Sequence, residues 1–347
     1  FVVPAGRSIG LDNVTITSAA VTDVNGVYDS GKAINVAHYP NRGHDPLKPD
    51  SLYYAIAENA DLVVLPNGPN GSSYLTTGAD ILAAAPPAIT PGTGIRIRTN
   101  AWTISDRKIG AVSGSRLYLD SPTTYPIEKD WGYFLYGQRW MLDEPGEWHY
   151  DPATKMLYVW MPDNTVPGNR VSVGQAPVGI EASLLSYIRI EGLAIQNVGT
   201  GVRMLRANNI VLRNLAIFDT LGMGIEAPYS TDSGIESSQI VRSAGDAISA
   251  AHSGGSSTRF HAYDNLIFDS GISSRKDVIT SLPLPARAAL EAGRSADIRG
   301  NRIYGAGYIG IWALADSVLS GNHIENACQV LDACGAIYTS GANNNST

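Results

Sequence analysis

Little in this sequence is charged, and almost none of it is cysteine. Asp, Glu, Lys and Arg make up 16% of the 347 residues, well under the quarter usual in globular domains. The balance is acidic, with a net charge of −7 at neutral pH. That excludes sequence-blind nucleic-acid binding, which needs a basic face, but not an anionic substrate, because a local basic cleft can exist on an acidic protein. No apolar run approaches the roughly 18 residues that would read as a membrane span, so none is expected. No charged and apolar leader opens the chain; it starts at Phe1 rather than Met, as expected of a processed or trimmed product. Zinc-type Cys/His spacing, a phosphate-binding glycine loop and a G-x-S-x-G phrase are all missing. No cofactor is therefore expected, with calcium at carboxylate-rich turns left open. The only cysteines are Cys328 and Cys334, which either bond, in keeping with export, or stay as buried thiols.

What the chain has instead is glycine, 36 of them with 19 prolines, and a phrase that returns. "GNRIYGAG" begins at Gly300 and "GNHIENAC" at Gly321. Aligned on that phrase, "IRIEGLAI" ends at Ile195, "IVLRNLAI" at Ile217, "SGIESSQI" at Ile240, "FHAYDNLI" at Ile267, "ADIRGNRI" at Ile303 and "SVLSGNHI" at Ile324. The steps are 22, 23, 27, 36 and 21 residues, a period that means stacked units. Within each unit apolar residues alternate, which is the strand signal, and no helical pattern intervenes. The expected fold is all-β: a right-handed parallel β-helix, in which one turn cannot bury its own inward face and several must stack. Like residues then form ladders. Ile190, Leu212, Ile235, Ile298 and Leu319 share one inward position, and Asn265, Asn301 and Asn322 share a turn where amides can bond along the axis. The 36-residue step carries a loop insertion at about 270–287, after which "AALEA" at 288–292 rejoins the wall.

The earlier half is less regular. Residues 1–91 read as N-terminal coils, and 92–165 as an inserted antiparallel β subdomain with long strands and Pro-Gly and Asp-Pro turns. That segment carries Trp102, Trp131, Trp140 and Trp148, with Trp160 close behind; packing of a small β layer is the favoured use of these rings over sugar stacking. The main β-helix is expected over 166–347.

The combination of "LDEPGEWHYDPATKMLYVWMPD", "IRIEGLAIQNVGTGV" and "GAIYTSGANNNS" resembles secreted bacterial right-handed parallel β-helix proteins that act on carbohydrates. The resemblance runs from about residue 35 to the end. It implies an extracellular or periplasmic location and a polysaccharide or oligosaccharide partner. It does not select a reaction, because the superfamily includes glycoside hydrolases, polysaccharide lyases, uronate epimerases and phage tailspikes.

Candidate site residues follow from alternation. With Val202, Ile225, Ile248, Leu290, Ile311 and Ile337 facing inward, the outward ladder runs Arg203, Glu226, Ser249, Glu291, Trp312, Tyr338. Two carboxylates, a cation and two aromatics in one line suit a sugar-binding groove, although a solvated face is the plain alternative. Glu226 and Glu291 are separated by one coil, so their Cα atoms are expected about 9.6 Å apart. Such a gap leaves room for an attacking water and favours inversion. Asp246 and His252 flank the Ser249 strand and join the catalytic candidates. Asp219 and Asp269 read as turn caps. Arg275, Lys276, Arg287 and Arg294 crowd the insertion, where cations could neutralise a uronate while a base takes a proton. Three readings result: a hydrolase using the Glu pair, a lyase or epimerase using His252 with Arg287 and Arg294, or a non-catalytic glycan-binding β-helix.

Overall fold

The computed structural model describes residues 14–17, 24–39, 41, 74–76, 89–114, 116–127, 132–252, 255–271 and 288–340. They form two compact units, residues 1–172 and 173–347.

In the first unit, one sheet runs in the order His38–Tyr39, Tyr133–Tyr136, Gly94–Asn100, Thr103–Ser113, Arg116–Leu119, Tyr74–Thr76, every pair antiparallel. A second sheet joins Val14–Thr17, Met156–Trp160, Glu147–Asp151, Lys32–Val36 and Gly26–Asp29. Local sequence explains its hairpins. Ser30 and Gly31 both take positive φ, 51° and 83°, the combination a two-residue turn between twisted strands requires. At "YDPATKM" the Asp151 carboxylate accepts the backbone N–H groups of Ala153 and Thr154, which folds the chain back toward Met156. The described strands before residue 91 thus pair with those of the 92–165 segment: Lys32–Val36 with Glu147–Asp151, and His38–Tyr39 with Tyr133–Tyr136. Trp148 is buried and donates its indole N–H to the carbonyl of Ile34, a packing role rather than a sugar platform.

The second unit is a parallel β-helix. Its first sheet stacks Val178–Glu181, Thr200–Arg203, Ile225–Glu226, Ile248–Ser249, Ala288–Ala292, Ile309–Ala313 and Ile337–Thr339. The second stacks Arg189–Glu191, Val211–Arg213, Gly234–Glu236, His261–Tyr263, Asp297–Arg299 and Val318–Ser320. The third stacks Ala194–Gln196, Ala216–Phe218, Gln239–Ser243, Leu266–Ser270, Arg302–Ala306 and His323–Glu325. Ile195, Ile217, Ile240, Ile267, Ile303 and Ile324 lie in register along the third sheet, so the repeated isoleucine is one inward ladder. The insertion leaves the stacking intact, since Leu290 pairs with Ile248 before it and Ile311 after it. The core is mainly aliphatic, with Phe260 and Met204 packed among the stacked Ile, Leu, Val and Ala rungs.

Corners hold the coils in phase. Between the second and third sheets, Asn214, Ser237 and Asp264 have φ between 45° and 54°, and Gly192, Gly300 and Gly321 occupy the same corner at 63° to 72°. Short polar residues and glycine tolerate that left-handed conformation best. Next to it runs the asparagine ladder. Asn265 donates through Nδ2 to Asn301 Oδ1 at 2.9 Å, and Asn301 to Asn322 Oδ1 at 2.9 Å. Each Oδ1 also accepts a backbone N–H from the coil before, Asn265 at 3.1 Å and Asn301 at 3.0 Å. Asp219 and Asp269 occupy left-handed corner positions, φ 50° and 54°, and Asp219 is clamped by both Nε and Nη2 of Arg242 at 2.7 and 2.6 Å. Cys328 and Cys334 are joined by a disulfide.

Candidate functional site

The first sheet brings the outward residues into one line. Arg203 pairs with Glu226, Glu226 with Ser249, Ser249 with Glu291, Glu291 with Trp312, and Trp312 with Tyr338. Glu181 extends the line at its start, opposite Arg203. Strand pairing sets this order: each inward aliphatic residue locks its coil, and the next side chain must point out.

The chemistry changes along the ladder. Arg203 Nε lies 2.7 Å from Glu226 Oε2, and Arg203 Nη1 lies 3.6 Å from Glu181 Oε2, so the cation bridges two carboxylates. The next two rungs leave water behind. Ser249 is 0% exposed and Glu291 4% exposed, and the Ser249 hydroxyl donates to Glu291 Oε2 at 3.1 Å. An open groove was the expectation for these rungs; they are instead buried. Beyond them, Trp312 and Tyr338 meet edge to face at 5.6 Å between ring centroids. The Trp312 indole N–H is held by Ser340 Oγ at 2.8 Å, and Tyr338 is 43% exposed.

The flanking candidates divide. Asp246 is buried, and its Oδ1 accepts the backbone N–H of Ala288 at 3.1 Å, on the first residue of the strand that follows the insertion. It ties two coils together instead of pointing to an open rim. His252 lies in the short strand Ala251–His252, paired with Gly255–Ser256; its side chain lies outside the described residues. So do Arg275, Lys276 and Arg287. Arg294 is described. The strand Ala288–Ala292 ends before it, and Arg294 falls in a stack of bridged residues with Thr258, Thr231 and Asn208 at the corner leading to the second sheet. Strand pairing of Leu290 and Glu291 fixes that place, because Arg294 follows the strand.

Sequence reading passed over a ladder on the third sheet. Gln196, Phe218, Val241, Phe268, Tyr304 and Glu325 stand in register there and point outward. Phe268 is 45% exposed, with Tyr304 stacked at a tilt beside it at 6.5 Å. The same alternation rule finds these residues, once it is applied to the residue after the repeated isoleucine.

In the first unit, His38, Glu144 and Glu147 form a group whose donor atoms could hold a metal ion. Burial raises the carboxyls of both Glu147 and Asp143 above the ordinary range, against the pull of the neighbouring His38.

Neither the scan against protein-family models nor the search of curated proteins gave a match. Among solved structures, the chain superposes on one titled "Glycoside hydrolase" with a TM-score of 0.69 at 12% identity, over 96% of this chain and 69% of that one. A tailspike protein, gp49 from Pseudomonas phage LKA1, aligns over 76% of this chain and 41% of that one, at 15% identity and a TM-score of 0.16. The first likeness agrees with the parallel β-helix read from the coils; the second is too weak to carry an argument.

Proposed function

We propose that this chain is an exported carbohydrate-active enzyme, and that it works as a glycoside hydrolase on the outward ladder of the first sheet. The observation that carries the reading is register: Glu226 and Glu291 stand two rungs apart with only Ser249 between them. At two inter-strand steps, about 9.6 Å at Cα, the carboxylates leave space for a water between base and anomeric carbon, which is the inverting arrangement.

Their surroundings suit different tasks. Glu291, withdrawn from water and hydrogen-bonded by Ser249, is assigned the general acid. Glu226, held by the Arg203 guanidinium, suits the base that activates water. Trp312 and Tyr338, on the next rungs, offer ring faces and edges for a pyranose. Because Ser249 and Glu291 are buried, substrate entry requires a local rearrangement over those two rungs. The Cys328–Cys334 disulfide supports the exported reading, since such bonds persist in oxidising compartments. The fold shared with a protein titled glycoside hydrolase supports the class. The lyase reading would use His252, Arg287 and Arg294; the side chains of the first two lie outside the described residues, and Arg294 bridges Thr258 at the corner leading to the second sheet.

The test is incubation with a panel of neutral and uronic-acid polysaccharides, following reducing ends together with the ultraviolet absorbance of unsaturated uronates. Wild type is expected to release reducing ends without that absorbance, and Glu226→Gln and Glu291→Gln each to lose at least a hundredfold in rate. Absorbance that rises and survives both substitutions would mean a lyase. Binding without turnover would mean a glycan-binding module.

A further inference from the structure

A second cluster, in the first compact unit, takes no part in that chemistry. One ring nitrogen of His38 and one carboxylate oxygen each of Glu144 and Glu147 lie within 4.8 Å of one another. His38 and Glu147 are wholly buried, and Glu144 is half-buried.

The imidazole is the informative member. Its Nδ1 lies 2.6 Å from Glu147 Oε1, yet neither ring nitrogen has an aligned hydrogen-bond partner. Native structures rarely leave a buried polar group in that condition, so each such group calls for a reason. Glu147, by contrast, is fixed in place. Its Oε1 accepts the backbone N–H of His38 at 3.1 Å, and its Oε2 accepts those of Asp143 at 3.1 Å and Glu144 at 3.4 Å. Three of the roughly four acceptor sites of a carboxylate are thereby used, and capacity remains on Oε1, the oxygen nearest His38. The surrounding backbone is tied as firmly: Glu147 pairs with Asn35, Trp148 pairs with Val36, and the Ala37 N–H donates to the Trp148 carbonyl at 2.8 Å. Asp143, next in line, is engaged by Asn41 Nδ2 at 2.7 Å.

We infer that His38, Glu144 and Glu147 form a binding site for a divalent transition-metal ion. An imidazole nitrogen with two carboxylate oxygens matches the ligand preferences of zinc and manganese, whereas calcium and magnesium take oxygen ligands. Two carboxylates balance the charge of a dication beside an imidazole, and a metal would give the ring, now only in close contact with Glu147, an aligned partner. Its depth makes the ion structural: it fastens the strand His38–Tyr39 to the turn that precedes Glu147–Asp151. The inference is independent of the hydrolase reading, because none of the three residues belongs to the ladder.

The whole chain, stripped with a chelator, would be titrated by calorimetry with zinc, manganese, calcium and magnesium salts in turn, with thermal unfolding followed in parallel. One zinc or manganese ion per chain is expected, together with a higher unfolding temperature in its presence; calcium and magnesium should do neither. Glu144→Gln keeps the side-chain volume at a half-buried position and should weaken zinc binding at least tenfold in a folded protein. His38→Gln should abolish it. His323→Gln is the control, since His323 and Glu325 form an exposed pair elsewhere, and it should leave zinc binding unchanged. The proposal fails if wild type takes up no stoichiometric zinc or manganese, if calcium binds as well, or if zinc binding survives Glu144→Gln. Should His38→Gln not fold, the Glu144→Gln result decides.

Discussion

In the first unit, several polar groups below the surface meet a single partner: Arg96 reaches Asp106 at 2.6 Å, and His38 lies against Glu147 at 2.6 Å, with neutral Thr93, Thr99, Asn100 and Ser105 buried as well. In the second unit they are mostly neutral and come in stacks: Ser238 bonds to Asn265, Asn265 to Asn301 and Asn301 to Asn322, each on the next coil. The contrast follows from topology. Sheets of unequal strands bring each buried side chain a unique neighbour, so a buried group needs its own partner. A solenoid repeats every contact at about 4.8 Å, so an amide that is donor and acceptor at once can satisfy its copy on either side, while a stacked charge would repel its copy. The outward ladder of the first sheet departs from that rule by alternating sign, with Glu181, Arg203 and Glu226 in succession.

The largest effect should come from breaking a charged pair. Asp106→Ala leaves the Arg96 guanidinium buried without its carboxylate, and also removes the acceptor of the Tyr136 hydroxyl. Loss of one partner of a buried pair costs about 3–5 kcal/mol, to be read as a shift in the urea midpoint. A cost below about 1 kcal/mol would mean that the pair contributes like a surface one, and the contrast would fall.

A smaller effect is expected from the stack. Asn301→Ala removes the acceptor of the Asn265 N–H and amide, and the donor to the Ala262 carbonyl and to Asn322. The orphaned groups should cost about 2–3 kcal/mol. Because coils contact only their neighbours, amide exchange should accelerate around Asn265 and Asn322 and stay slow near Ile195. Acceleration over every coil would show that the stack acts as one unit.

How much of this was legible depended on whether the information was local. The coils could be read because each repeats a short alternating phrase, and the order Arg203, Glu226, Ser249, Glu291, Trp312, Tyr338 needed only that phrase. The burial of Ser249 and Glu291 could not be read, since it depends on what lies outside the strand and not on the strand's own pattern. The first unit hid most, because its pairings are distant. His38 and Glu147 are 109 residues apart, and no period links "AHY" to "GEW".

Surface pairs of the second unit should matter least for stability. Arg242 clamps Asp219 across one corner, but the guanidinium is partly exposed, and the left-handed backbone already fits Asp219. Arg242→Ala is therefore expected to cost less than about 1 kcal/mol, visible as a small loss in unfolding temperature that shrinks as salt is added. A loss as large as that of Asn301→Ala would mean that the corner, rather than the amide stack, sets the coil's phase.

The finest comparison is between two histidines, one in each unit, both with pKa values pushed below the ordinary 6.5 chiefly by burial. His149 stacks on Tyr158 in the first unit. His261 stacks on Tyr263 at 4.8 Å in the second, above Gly234, where a Cβ would strike its ring. Glu236, at 3.3 Å from Nε2, and Asp297 both pull the His261 value up without overcoming burial. Below pH 6.5 the unfolded chain therefore binds more protons at each site than the folded one. Stability contributed by the neutral rings is present above that pH and is lost as pH falls through the depressed folded values. Replacing either ring with Gln should flatten the slope of unfolding free energy between pH 6.5 and the acid limb. Glu236 and Asp297 oppose burial at His261, while at His149 Asp151 and the Gly137 backbone oppose burial and Arg139 adds to it, so the comparison of the two variants reads how far neighbouring charge offsets burial at each ring. Equal flattening would mean that desolvation alone governs both rings. A steeper slope in His261→Gln would mean that Glu236 and Asp297 win, with the imidazole charged in the fold.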